Sequence, residues 1–357
     1  MNRILKFLNA TIAIAICSHV YADTDTTVSP CAPESIDIWL NANHVPAVGI
    51  GVIEDGRIKS INVYGELRQG VPAPAEAIWN VASLTKPITA LTVLELVNKG
   101  ELNLDEPLSK YWIDPDLRGN PWVEKLTARI LLSHQSGFPN WRWNDSSKKL
   151  SFHFEPGTKM GYSGEGYEYL RRAVENKFGQ SLEEIAERVV FGPIGMKDTQ
   201  YAWSSKLNEA RFADPHDNKG LIIAKSKSTD ICAADWLVTT VGDYCKFGVS
   251  VINGAGLTPD LYKQMIKIQS HFDSKPEHGS TGMGLGWQVI DNMPNGEYAL
   301  THSGSDDGVQ TVVLLLPKSK RGIVIFTNGD DGYKVESQIL KNSFPALRPD
   351  LEKYLGI

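Results

Sequence analysis

Hydrophobic and polar positions along this chain fall into three regimes. Near the start, Pro33 to Asn43 reads as a short helix, and two strand-like runs follow, Ala47 to Ile53 and Ile58 to Tyr64. Glu54-Asp55-Gly56-Arg57 joins them, and an Asp-Gly pair between two such runs predicts an antiparallel hairpin. The segment Leu84 to Lys99 is then apolar almost all round (Leu84, Ile88, Ala90, Leu91, Val93, Leu94, Leu96, Val97), as expected of a helix buried in the middle of a fold. From about Asp105 to Leu261 the pattern predicts helices at Val123 to Ser133, Glu165 to Phe178, Leu182 to Val190 and Thr240 to Asn253, among loops rich in Pro, Gly and Trp. The last portion returns to strands: Gly286 to Asp291, Tyr298 to His302, Val309 to Leu316 and Gly322 to Thr327, with an Asn295-Gly296 turn and a closing helix at Tyr333 to Lys341.

Strands at both ends with helices between them predict an α/β fold with one sheet drawn from both termini and a helical insertion. The α/β part is expected at about 33–82 and 280–357, and the helical part at about 84–265. A length of 357 residues and 42% hydrophobic content suffice for one large domain or two intimate ones.

Pro87 sharpens the start of the central helix. Proline is tolerated only in the first turn, so the helix must begin at about Ser83. Ser83 then stands at a helix mouth, where the dipole and the free N–H groups favour developing negative charge. Lys86 follows three positions later, on the same helical face, so a hydroxyl and an ammonium can meet there. The pair alone is short enough to arise by chance, and a second copy, Ser146 to Lys149, lies in a polar loop with nothing chemical around it.

Charge and cysteine content narrow the function classes. The N-terminus carries Arg3 and Lys6, an apolar run from Thr11 to Cys17, and Val20-Tyr21-Ala22, a pattern that predicts an export signal over 1–22 cleaved after Ala22. Removing Arg3 and Lys6 from the 36 basic residues leaves 34 against 42 acidic ones, a net charge of -8. No basic run marks a nucleic-acid surface, and no later segment is long and apolar enough to span a bilayer. The expected product is exported, periplasmic or secreted. Cys31, Cys232 and Cys245 remain, and an odd number leaves at least one thiol unpaired within the chain, with Cys232 and Cys245 the nearer pair. His134, His153, His216, His271 and His278 show no zinc-site spacing, so no metal is expected, nor any cofactor.

Two further stretches change the weight of Ser83 and Lys86. One runs from Phe154 through Glu155-Pro156-Gly157 to Tyr162-Ser163-Gly164 at another helix mouth; the other is Thr301-His302-Ser303-Gly304-Ser305, at the end of a predicted strand. Ser-x-x-Lys, Tyr-Ser-x and His-x-Gly, in that order, resemble the serine β-lactamase and penicillin-binding-protein superfamily, and within it the class C β-lactamase group with its esterases, DD-peptidases and D-amino-acid peptidases. Leu131 to Gly137, Pro193 to Thr199, Thr239 to Asp243 and Gly284 to Trp287 extend the resemblance over nearly the whole mature chain.

The resemblance implies an α/β sandwich, its antiparallel sheet from both termini flanked by helices, with an inserted all-helical domain. It also implies that Ser83 is the nucleophile of an acyl-enzyme, that Lys86 and Tyr162 share the general-base work, and that the backbone N–H groups of Ser83 and Ser305 form the oxyanion hole. His302 stands where many relatives carry lysine, and is implied to help hold the Tyr162 and Ser83 hydroxyls and the leaving side of the substrate. Gly164 departs from the family: relatives that hydrolyse β-lactams commonly have asparagine there. Glycine supplies no amide to the acyl side chain, which leaves room for another acyl group or a simple ester; a turn requiring positive φ would equally account for it. Gly304 and Asp306 are further candidates for contact with substrate. Asp306 and Asp307 would attract an amine if they faced the cleft, or are turn residues before Gly308. Trp141 and Trp143 either wall the cleft or anchor a loop, and His134 is expected to be a packing residue. The implied function is a serine hydrolase acting on a small-molecule or peptide amide or ester. A β-lactamase, or a non-catalytic binder of penicillin or cell-wall fragments, are the alternatives.

Overall fold

Alternation of apolar side chains along the strands builds a sheet with two buried faces. In the strand Ala47–Glu54, Ala47 and Ile53 join one hydrophobic core while Val48 and Ile50 join a second on the opposite side. Val324 and Phe326 against Ile323 and Ile325, and Val313 and Leu315 against Val312 and Leu314, divide the same way. Such strands read as near-continuous apolar runs because helices cover both faces.

The computed structural model describes residues 27–29, 31–272 and 281–356. Eleven strands occur among them: β1 (Ala47–Glu54), β2 (Arg57–Arg68), β3 (Val71–Pro72), β4 (Ile78–Asn80), β5 (Val238–Thr240), β6 (Ser270–His271), β7 (Thr281–Met283), β8 (Gln288–Ile290), β9 (Ala299–Asp306), β10 (Val309–Leu316) and β11 (Arg321–Thr327). Nine form one antiparallel sheet in the order β3-β2-β1-β11-β10-β9-β8-β7-β6. The two ends of the chain meet at its centre, where Val48 pairs with Thr327 and Ile53 with Gly322. The sheet drawn from both termini is therefore as the sequence predicts. Helices Pro33–Ala42, Gly332–Ser343 and Arg348–Leu355 cover one face; Val241–Ile252 and the intervening helical region cover the other.

Several elements differ from expectation for local reasons. The helix expected at 123–133 is split: Pro121–Lys125 is a 3-10 turn, and the Thr127 hydroxyl accepts from the Ile130 N–H to start a new helix at Ala128. The helix from Leu182 passes into a π-turn at Glu187–Phe191. The strand expected to end at His302 continues to Asp306, because β10 pairs with it through the His-x-Gly motif. The region expected to be all helical contains β5, which pairs with β4 as a small ribbon apart from the main sheet. Cys31, Cys232 and Cys245 are free thiols. The predicted export signal and His278 lie outside the described residues. No described helix is long and apolar enough to cross a membrane.

Candidate active site

The helix mouth is built as a short approach turn followed by a fully buried helix. Ala82–Leu84 is a 3-10 turn that runs into the helix Thr85–Asn98, so Pro87 falls in the first turn of the α-helix. Every residue from Thr85 to Leu96 is buried, Lys86 among them. Ala82, immediately before Ser83, takes a left-handed φ of 46°, a conformation disfavoured for alanine. Two side chains hold it there: the Asn80 Oδ1 accepts from the Ala82 N–H at 2.9 Å, and the Thr85 hydroxyl donates to the Ala82 carbonyl at 2.6 Å.

Lys86 reaches back along the helix. Its Nζ donates to Ser83 Oγ at 2.9 Å and to the Ala234 carbonyl at 2.8 Å, so the ammonium is buried but not isolated. The Ala234 carbonyl is delivered by a strained bend, since Trp236 takes a φ of 66°. The adjoining Leu237 ties into the helix mouth by donating its N–H to Thr85 Oγ1 and accepting from the Val81 N–H.

Tyr162 approaches the same ammonium with its ring: Lys86 Nζ lies 4.7 Å from the ring centroid, a cation–π contact. No hydrogen bond joins the Tyr162 hydroxyl to Ser83 or Lys86 among the described residues. Under the ring lies His134, stacked at a centroid separation of 4.3 Å and wholly buried. Burial, reinforced by the Lys86 charge, holds His134 well below the usual imidazole range, so it is neutral. Its Nδ1 accepts from the Ser163 N–H at 3.1 Å, which fixes the proton on Nε2. His134 thus packs beneath the tyrosine, as the sequence suggests.

The third motif comes from β9. His302 and Gly304 face the helix mouth, and Ser303 and Ser305 are exposed on the other face. His302 is buried and neutral: desolvation, then the nearby Lys86 charge, bring its pKa down to about 3. Its Nδ1 lies 2.8 Å from the Ser303 carbonyl, which can only accept, so Nδ1 carries the proton and Nε2 keeps its lone pair. The His302 and Tyr162 ring centroids are 6.3 Å apart. Gly304 is required by contact: a β-carbon there would stand 2.4 Å from both the Val81 carbonyl oxygen and Thr311 Oγ1. The strand therefore lies directly against the turn that carries Ser83. β8 pairs with β9 only as far as Thr301, so from Ser303 onward the β9 edge away from β10 has no strand partner among the described residues.

This geometry sits on a chain whose residues 35–342 match the family model described as Beta-lactamase. The chain belongs to the Beta-lactamase family. Among relatives, it is 26% identical over 326 residues to Protein flp of Staphylococcus aureus strain MW2, covering 82% of this chain and 62% of that protein. It is 26% identical to Penicillin-binding protein 4* of Bacillus subtilis strain 168, covering 78% of this chain and 66% of that one. The chain thus spans less than two thirds of the length of the Staphylococcus protein. Among solved structures, the octameric penicillin-binding protein homologue from Pyrococcus abyssi matches with a TM-score of 0.74 at 22% identity, covering 88% of this chain and 78% of that one. D-alanine carboxypeptidase AmpC from Burkholderia cenocepacia matches with a TM-score of 0.70 at 21% identity, covering 86% and 96%. Both share the fold.

Around this Beta-lactamase-family core, the remaining candidates divide. Gly164 opens the helix Gly164–Phe178 without a positive φ, so the turn explanation fails; a β-carbon there would stand 2.6 Å from the Trp141 ring. Trp141 stacks on Trp143 at 4.5 Å, and the loop is anchored by Arg142, which bridges Glu165 and Asp114 at 2.8 Å each. Asp306 closes β9, half-buried, with one carboxylate oxygen 3.5 Å from the Asn80 amide; Asp307 is exposed in the turn. The other Ser-x-x-Lys pair is exposed in its loop.

Asn80, Ala234 and Asp235 enter the site unannounced by the sequence reading. The asparagine three residues before Ser83 carried a readable signal, since Asx side chains cap the N–H two positions on. Asp235 carried none. It feels the charges of Lys86 and Asp306, and burial pushes its carboxyl up to about 6, against the opposing pull of Lys86.

Proposed function

We propose that this chain is an exported serine hydrolase that cleaves an amide or ester bond through an acyl-enzyme on Ser83. The observation that carries the reading is the 2.9 Å hydrogen bond from buried Lys86 to Ser83 Oγ at a strained helix mouth. In the acylation step Ser83 Oγ attacks the substrate carbonyl carbon while its proton passes to the Lys86/Tyr162 pair, which requires one of the two to be unprotonated at that moment. The C–N or C–O bond then breaks, and the proton is returned to the leaving amine or alcohol. Water repeats the sequence on the ester and releases the acid.

The negative charge that develops on the carbonyl oxygen is assigned to the backbone N–H groups of Ser83 and Ser305. The helix mouth and the open edge of β9 support this assignment. His302 keeps Nε2 as an acceptor for a hydroxyl or leaving-group proton, and its neutrality spares the site a second cation beside Lys86.

The acyl pocket favours something other than a β-lactam side chain. No amide projects from position 164, and the Trp141 ring occupies that space, so the wall presented there is aromatic. Asp235 and Asp306, whose charges interact, disfavour an anionic acyl group and suit a neutral or cationic one.

The test is intact-protein mass spectrometry of the wild type and Ser83→Ala after exposure to a fluorophosphonate, a penicillin and p-nitrophenyl esters. An adduct or burst confined to the wild type, with esters turned over and penicillin not, is the expected result. Labelling of neither protein would overturn the nucleophile and bring a non-catalytic binder forward. The N-terminal mass of the secreted product tests cleavage after Ala22.

A further inference from the structure

A cavity of about 500 Å³ lies behind β9, on the opposite face of the strand from Ser83. Ser303, Ser305 and Gln310 give it a polar wall from the sheet, and Val312 and Leu340 an apolar one. Glu336, on the helix Gly332–Ser343, also lines it.

Glu336 is 7% exposed, and its Oε1 is buried without a hydrogen-bond partner among the described residues. A buried carboxyl with an idle oxygen is costly unless something fills its hydrogen-bonding capacity. The charged and titratable groups facing the cavity beside it are Lys334, Tyr333 and Tyr354. Lys334 is engaged elsewhere, on Asp331 at 2.8 Å. Desolvation pushes the Glu336 pKa well above the carboxylate range, which favours its neutral form. A cavity of this volume accepts a ligand of small-molecule size.

We propose that this cavity binds a small amphipathic primary amine, with its ammonium on Glu336 and its apolar body against Val312 and Leu340. On binding, the protonated fraction of Glu336 gives its O–H proton to the buffer, while the incoming ammonium keeps all of its own.

The probe is phenethylamine, with 2-phenylethanol as its uncharged counterpart, titrated calorimetrically into the purified chain at pH 7 in phosphate and in Tris. Expected are saturable one-site binding, an apparent enthalpy whose shift between the two buffers reads the proton that Glu336 gives up, and binding of the alcohol weaker by tenfold or more. Glu336→Gln should lose at least tenfold in affinity and the buffer dependence, whereas Ser83→Ala should bind as the wild type does. Ser303→Phe, which fills the cavity from the exposed face of β9, should abolish binding with the carboxyl intact, and serves if Glu336→Gln does not fold. No binding at millimolar phenethylamine, equal binding of the alcohol, or unchanged binding by either cavity variant would overturn the proposal. Binding competed by covalent labelling of Ser83 would do the same.

Discussion

The Trp141 indole occupies the space into which any side chain at position 164 would project: a β-carbon on Gly164 would stand 2.6 Å from the ring. Glycine and tryptophan therefore form one unit, and neither can be changed alone without cost. Gly164→Asn should destabilise the fold by about 1–3 kcal/mol through overpacking. Trp141→Ala in the same chain should recover much of that loss, since the pair is coupled. Thermal unfolding of the two single variants and the double variant measures the coupling; additive effects would mean that the indole is free to move aside. Only the double variant has room for an amide in the cleft, so any gain in nitrocefin turnover is expected there.

Arg142 holds the tryptophan loop in place. Its guanidinium bridges the buried carboxylates of Asp114 and Glu165, and its own protonation is strengthened by them despite the cost of burial. Arg142→Met leaves both carboxylates without a cation and should cost about 3 kcal/mol. Glu165→Gln in the Arg142→Met background should restore part of the loss. Denaturant midpoints report both effects.

The Lys86–Ser83 hydrogen bond makes a sharp kinetic forecast. Lys86→Met preserves the apolar stem but removes the proton carrier, and should lower kcat/KM by about 10²–10⁴-fold with little change in KM. Ser83→Ala should remove acyl-enzyme formation altogether while far-UV circular dichroism stays unchanged. Turnover of the best ester by Ser83→Ala at the wild-type rate would sink the assignment.

His302 gives the fold a defined sensitivity to acid. Its pKa lies near 6.5 when unfolded and about 3 when folded, so the unfolded chain binds the extra proton between those values. The stability due to a neutral His302 is whole above pH 6.5 and is lost as the pH falls toward 3, by up to about 1.4 kcal/mol per pH unit. Unfolding free energies of the wild type and His302→Gln, followed from pH 7 to 4, should diverge in that window, with the wild type falling faster. Parallel curves would show that the imidazole is not held neutral. Above pH 5, where His302 is already neutral, the acid limb of the rate profile should belong to other groups.

Much of this was legible in the chain itself. Pro87 and the apolar run behind it located a buried helix and put Ser83 at its mouth, because proline's missing N–H and fixed φ restrict it to a first turn. The Asp55-Gly56 hairpin and the apolar strand-like runs near both termini likewise announced a sheet built from both ends. Local backbone preference and side-chain period are properties of neighbouring residues, and a sequence displays them directly.

What the sequence did not carry was set by residues far apart in the chain. It offered a positive φ as one of two accounts of Gly164, but the φ is not positive and the Trp141 ring packs against that position instead. Lys86 finds its second acceptor at Ala234, 148 positions away, and Asp235 enters the site through the same bend. Tyr162 meets the ammonium through its ring, not through a hydroxyl hydrogen bond, because His134 stacks beneath it. Burial and proximity are collective results of packing: which face of β9 meets Ser83, which carboxyl loses its solvent and which histidine stays neutral all depend on what the folded chain lays against them. The sequence by itself determined the elements and the order of the chemical groups; only the tertiary structure decided their contacts and charge states.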